Sequence, residues 1–187
     1  LQGIVGRRAD VRVYVEDCNA TLLDKILPKA RWEDYRRALV LLDPYGLHLN
    51  WNVLQTMGRM RSVEIFLNFP VADMNRNVLW HNPELVDHRD VDRMNAYWGD
   101  ESWHHVAYEN QQSFWGPVEK KTTNARIAEG FRERLIDVAG FKHVPSPIPM
   151  RNTQGAIIYY LFFASHKPVA GHIVEQIFEK YRNRGVV

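Results

Sequence analysis

Ala38-Leu39-Val40-Leu41-Leu42-Asp43-Pro44-Tyr45-Gly46-Leu47 is the stretch on which the fold turns: an aliphatic run that stops at an acid, a proline, an aromatic and a glycine. A short apolar run closed by a turn signal reads as a strand buried on both faces, the kind found in parallel α/β sheets. Side chains just past the carboxyl end of such a strand stand where open α/β sheets bind their ligands. Here Asp43 offers an acceptor, Pro44 a carbonyl outside any helix, and Tyr45 a flat stacking surface. That set suits a planar, amine-bearing group such as a nucleobase. The tetrapeptide reads equally as a plain strand-ending turn in which Asp43 caps the next helix.

Outward from this run, strands and helices alternate. Val11 to Val15 alternates apolar and polar and predicts a half-covered strand, followed by Leu22, Leu23, Ile26 and Leu27 at helical spacing up to Pro28. Trp51, Val53, Leu54 and Met57 share a helix face that ends near Gly58, and Val63 to Phe69 predicts a second buried strand closed by Pro70. Strand, helix, strand, helix, strand implies right-handed crossovers and a parallel sheet. Near the end, prolines 145, 147 and 149 occupy every second position. Alternate N–H groups of a strand point to the same edge, so this segment is expected outermost, its proline side facing out. After a turn at Arg151 to Gly155, Ala156 to Ala164 is apolar enough for an internal strand antiparallel to it, and a helix from about Val169 to Tyr181 follows. Asn124 to Gly140 is a further helix, with Gly140 as its C-cap.

Residues 71–118 break this rhythm. They hold four of the six tryptophans (Trp80, Trp98, Trp103 and Trp115) and four of the eight histidines (His81, His88, His104 and His105), with little clean periodicity. An insertion after a strand end is placed to cover the ligand edge, so it reads as a cap or lid, or else as a satellite aromatic cluster packed on itself. The domain reading is therefore an α/β unit over 1–70 and 119–187 with a cap at 71–118. Neighbouring His104 and His105 point in different directions, and no HExxH-type spacing occurs, so no metal site is expected.

Composition adds bounds. The 187 residues, 45% hydrophobic and 25% charged, are enough for one ordinary globular domain. No apolar run approaches the roughly 20 residues of a membrane span, and no targeting leader opens the chain. With Cys18 alone there is neither an internal disulfide nor a cysteine-rich metal site, so a cytoplasmic setting is expected. Eight acids stand against three arginines over 73–109, whereas eleven Lys or Arg stand against six acids from Glu119 onward. Such asymmetry fits a basic face for phosphates, or simply two solvated faces.

The segments VEDCNATLLDKIL, ALVLLDPYGLHLNW, VEIFLNFP, RMNAYWGDESW and PMRN followed by IIYYLFFASHK together resemble the three-Cys-motif partner protein family. The resemblance implies an α/β fold with a Rossmann-like, class I methyltransferase-type sheet, ordered 3-2-1-4-5-7-6, mostly parallel with a C-terminal antiparallel hairpin. Val11 to Val15 would be its third strand. The first two strands and the glycine-rich loop for S-adenosylmethionine would lie before Leu1; Gly3 and Gly6 form no GxGxxG that could replace that loop. The resemblance also implies a three-Cys-motif protein as partner. In this frame Asp17 and Cys18 lie at the cofactor, Asp43, Pro44 and Tyr45 receive the target amine, and His48, Asn50, Asn68, Arg76 and Arg151 are rim candidates for the substrate. DPYG carries one proline where nucleic-acid amino-methyltransferases carry two. The expected function is a methyltransferase-like protein acting on a nucleic acid or another amine-bearing substrate. The alternative is a non-catalytic module that holds another protein. A carboxylate-and-metal phosphodiesterase finds too few clustered acids, and single-stranded nucleic-acid binding through Trp98, Trp103 and Trp115 would show strong salt dependence.

Overall fold

A computed structural model describes residues 8–113 and 116–182. Its main sheet has four strands: β1 (Ala38–Leu42), β2 (Val63–Phe69), β5 (Ile148–Arg151) and β6 (Ile157–Ala164), in the order β1-β2-β6-β5. β1 and β2 are parallel, with Ala38 opposite Val63 and Leu42 opposite Leu67. They are linked through helix α1 (Trp51–Met60), the crossover that the Trp51, Val53, Leu54 and Met57 spacing predicts. The other two pairings, β2 with β6 and β6 with β5, are antiparallel. The sheet is thus mixed rather than mostly parallel. The C-terminal hairpin lies as expected, its second strand internal and its proline-bearing strand outermost, with Ile148–Arg151 in the ladder and His143 bridged to Ser165.

Val11 to Val15 is a second correction, because it is irregular and pairs with no strand. Alternation alone does not make a strand; the backbone groups need a neighbouring edge, and Val15 instead stands in solvent. The chain then coils through a helical turn (Cys18–Ala20), a π-helical stretch (Thr21–Ile26) and a 3-10 turn (Leu27–Lys29) that accommodates Pro28 at its start. A third correction concerns β1, which is covered on one face only. Leu42 is buried and Ala38 and Val40 pack on the core, whereas Leu39 and Leu41 are 57% and 73% exposed.

The covered face carries the main core. Phe131, on helix α5 (Asn124–Asp137), is fully buried among the rings of Trp51, Phe69, Tyr97, Trp98 and Phe162, with centroids 4.7 to 5.8 Å away. Tyr97 and Trp98 end helix α3 (His88–Trp98), and Trp103 opens helix α4 (Trp103–Ala107), so these three aromatics of 71–118 enter this same core. Gly130 lets α4 and α5 approach closely: a Cβ there would stand 2.4 Å from Val106 Cγ1. Helix α2 (Val71–Asn77) follows β2 directly. The polar strands β3 (Tyr108–Ser113) and β4 (Gly116–Lys121) form a separate hairpin that hydrophobic patterning does not reveal. Lys121 ties it down by donating to Asn75 Oδ1 and the Leu79 carbonyl at 2.6 and 2.7 Å, in a setting whose burial lowers its pKa. The opposite face of the sheet is covered by helix α6 (Pro168–Tyr181), whose Val174 and Phe178 pack on Ile148, Phe163, Phe66 and Leu161.

Candidate functional site

The parallel pairing of β1 and β2 brings their carboxyl ends together. Leu42 and Leu67 turn into the core, so the next residues, Asp43 and Asn68, turn to the other face, where Asn68 Nδ2 donates to Asp43 Oδ1 at 2.8 Å. The loop after β1 is anchored at both ends. Leu47 and Leu49 are buried, and Asn19 clamps the far end: its Nδ2 donates to the His48 carbonyl at 2.9 Å and its Oδ1 accepts from the Asn50 N–H at 2.8 Å. Gly46 has φ 57°, and a Cβ there would stand 2.5 Å from Asp73 Oδ2, so any other residue at this position would be strained and would push the Asp73 side chain aside. Tyr45 is left 91% exposed, with the His48 ring stacked 6.2 Å away at 28°.

Two cavities open on either side of this corner. The first, about 330 Å³, is walled by Leu22, Val40, Leu41, Leu42 and Leu49, with Tyr14, Glu16, Cys18 and Thr21 along its polar side. Thr21 Oγ1 is buried and has no hydrogen-bond partner among the described residues. Glu16 is held by Lys25 at 2.5 Å. The second, about 240 Å³, is lined by Asn68, Pro70, Asp73, Arg76 and Tyr159. Asp43 and Pro44 line both.

The expected site residues separate accordingly. Asp43, Pro44, Asn68 and Arg76 come together, and Cys18 reaches the first cavity with an exposed thiol. Asp17 caps the helical turn, its Oδ1 accepting from the Ala20 N–H at 2.9 Å, and does not line the cavity. His48 and Asn50 stand at the outer loop, and Arg151 lies at the hairpin turn outside both cavity linings, donating to the Gly155 carbonyl at 2.8 Å. Trp98 and Trp103 are buried, their indole N–H groups given to Ser102 Oγ and Asn95 Oδ1; they offer no ring to a nucleic acid, and Trp115 lies outside the described residues. Among the described residues no three or more His, Cys, Asp or Glu side chains gather for a metal, and no helix is long and apolar enough to cross a membrane. Sequence reading misses Asn19, Thr21, Asp73 and Tyr159. The first two sit on a helix expected only to pack, and only the fold brings the last two to Asp43.

S-adenosylmethionine can be tested against these walls. Apolar sides with the acceptors Glu16 and Asp43 fit its adenine end, which is flat and carries an amine. The lining has no cationic side chain for its carboxylate end.

No family model, curated protein or solved structure matches this chain.

Proposed function

We propose that the protein is methyltransferase-like and that the Asp43-Pro44 corner seats the amine of a nucleobase or a similarly flat substrate. The observation that carries this reading is the shared wall: one acid and one proline border both an apolar cavity with Glu16 on its polar side and a second cavity holding Asn68 and Arg76. The strand order β1-β2-β6-β5 supports it as well, since it follows the 4-5-7-6 part of the order implied by the resemblance. In this reading the first cavity takes the adenine of S-adenosylmethionine, with Glu16 accepting from its amine. S-adenosylmethionine, when bound, supplies an electrophilic methyl group. Asp43, oriented by Asn68, accepts a hydrogen bond from the target amine, the Pro44 carbonyl accepts the other, and Tyr45 lies over the ring. Arg76, exposed at the second cavity, pairs with a phosphate of the substrate.

Calorimetric titration with adenosine and with inosine, which lacks the exocyclic amine, tests the first cavity. Adenosine is expected to bind about fivefold tighter than inosine, and Glu16→Ala to remove most of that preference, because one satisfied hydrogen bond is worth about 1 kcal/mol. Arg76→Ala leaves both titrations unchanged. Equal affinity for the two nucleosides, or no heat with either, refutes the assignment. The second reading, a module that holds another protein, is favoured by the bare leucines of β1.

A further inference from the structure

At the end of the sheet where β1 and β2 begin, a cavity of about 190 Å³ is lined by Arg37, Leu39, Arg61, Ser62, Glu64 and Lys167. Arg37 precedes β1 and Asp43 follows it, about 20 Å apart along an extended chain, so this cavity is separate from the Asp43-Pro44 corner. Three cations converge on it from three places in the chain: Arg37 before β1, Arg61 after α1 and Lys167 before α6. Among the described residues none of the three is ion-paired. One carboxylate stands against them, Glu64, whose Oε1 accepts from Ser165 Oγ at 3.0 Å. The lining thus carries an excess of positive charge, and like charges gathered in one small space repel until an anion joins them.

Two of the three cations are fixed in place. The Arg37 guanidinium lies over the Trp32 ring, 3.5 Å from its centroid, and its Nη1 donates to the Arg36 carbonyl at 2.7 Å. Arg61 sits in left-handed backbone, φ 56°, at the end of α1, where glycine is the usual residue because it escapes the Cβ strain. What an arginine supplies at that strained position is charge. Its field reaches into the molecule: burial lowers the pKa of His166, and the charges of Arg61, Lys142 and His143 lower it further.

The segment leading into the cavity adds aromatic surface. Residues 31–36 close a turn in which the Tyr35 N–H donates to the Trp32 carbonyl at 3.0 Å and the Arg36 N–H to the Arg31 carbonyl at 3.2 Å. Trp32 is left 45% exposed with Arg37 against its ring. Cations for phosphates and an aromatic ring for a base are the two parts of sequence-tolerant single-strand recognition. A free inorganic anion would use the cations and leave the indole idle. A duplex presents phosphates but keeps its base faces stacked, so the half-exposed indole favours a single strand.

We infer that this cavity and Trp32 bind single-stranded nucleic acid, with Arg37, Arg61 and Lys167 on its phosphates and the indole against a base. The site goes beyond the Asp43-Pro44 reading and stands without it.

Fluorescence anisotropy with a short fluorescein-labelled oligothymidylate tests this. Thymine has no exocyclic amine, so the probe bypasses the amine-accepting corner, and failure of one site is seen apart from failure of the other. The 187-residue chain should bind the probe with an affinity that falls steeply between about 50 and 200 mM salt. Arg61→Gly removes a charge and gives the end of α1 the residue its backbone favours, so it should keep the wild-type Tm and bind about tenfold more weakly. Lys167→Ala should also lose about tenfold, and each variant should flatten the slope of log Kd against log salt by about 0.7. Trp32→Ala should weaken binding about tenfold and largely keep the slope. Lys180→Ala, which removes the same charge near the far end of α6, should change neither quantity. Absence of binding at about 50 mM salt, wild-type affinity in Arg61→Gly and Lys167→Ala, or an equal loss in Lys180→Ala overturns the inference. So does calorimetric binding of inorganic pyrophosphate that depends on Arg61 while oligothymidylate does not bind, which would mark a site for a free anion.

Discussion

Replacing Phe131 by alanine tests whether 71–118 belongs to the same cooperative unit as the sheet. Phe131 is fully buried, with five rings around it: Phe69 at 4.7 Å, Trp98 at 5.3 Å, Tyr97 and Phe162 at 5.6 Å and Trp51 at 5.8 Å. Truncating a buried phenylalanine costs about 3–5 kcal/mol. The neighbours belong to α1, β2, α3 and β6, four elements that cannot all close on the void, so about 4 kcal/mol is expected here. Against a total of about 5–15 kcal/mol, this lowers Tm by about 8–16 °C for a chain of this size. Urea unfolding followed by both tryptophan fluorescence and far-ultraviolet circular dichroism should give one coincident transition, shifted to lower urea with unchanged slope. Phe131→Leu should fall between wild type and alanine. A loss below about 1 kcal/mol, or a fluorescence transition that separates from the dichroism transition in the wild type, refutes the reasoning. The second result would make the tryptophans of 71–118 a unit that melts by itself.

Asn19→Ala removes two hydrogen bonds, to the His48 carbonyl and from the Asn50 N–H, so it should cost about 2 kcal/mol in urea unfolding and weaken nucleoside binding through the loosened loop; an unchanged unfolding midpoint counts against the clamp. Arg134 donates to the Trp98 carbonyl at 2.6 Å, reaches Ser102 and Asp100, and lies 4.8 Å from the Trp51 ring centroid. Arg134→Ala should cost about 2 kcal/mol, little of it from the exposed Asp100 pair, and Arg134→Lys should recover only part of this because an ammonium cannot reproduce the fork. Burial lowers the pKa of His166, the charges of Arg61, Lys142 and His143 add to this, and a backbone hydrogen bond with Gly58 opposes it. Above its ordinary value of 6.5 neither folded nor unfolded chain binds that proton. Below it the unfolded chain does so first, so stability falls with pH until the folded pKa is passed. His166→Gln should lose less stability than wild type between about pH 7.5 and pH 5; identical losses would show that His166 carries no such linkage.

Much of the fold is legible in the residues because the signals are local. The aliphatic run Ala38 to Leu42, the helical spacing from Trp51 to Met57 and the alternation of β2 each impose one backbone period, and Pro70, Gly140 and the alternating prolines mark where elements stop or lie outermost. The same locality is the limit. Val11 to Val15 has a strand's pattern without an edge to pair with, and β3 and β4 pair with no apolar pattern to announce them. Trp98 and Trp103, legible as aromatics, become core rather than binding surface only through the position of α5. At the site, the turn at Asp43, Pro44 and Tyr45 can be read from the chain itself. That Asn68 orients Asp43, that Asn19 clamps the loop and that Thr21 is left unpaired all depend on long-range contacts. The sequence by itself determined the backbone period of most segments, because that follows from the order of side chains. Tertiary structure alone decided which faces are covered and which polar groups meet, because burial and hydrogen bonding are properties of neighbours distant in the chain. Leu39 and Leu41 read as interior residues, and the structure leaves them facing water.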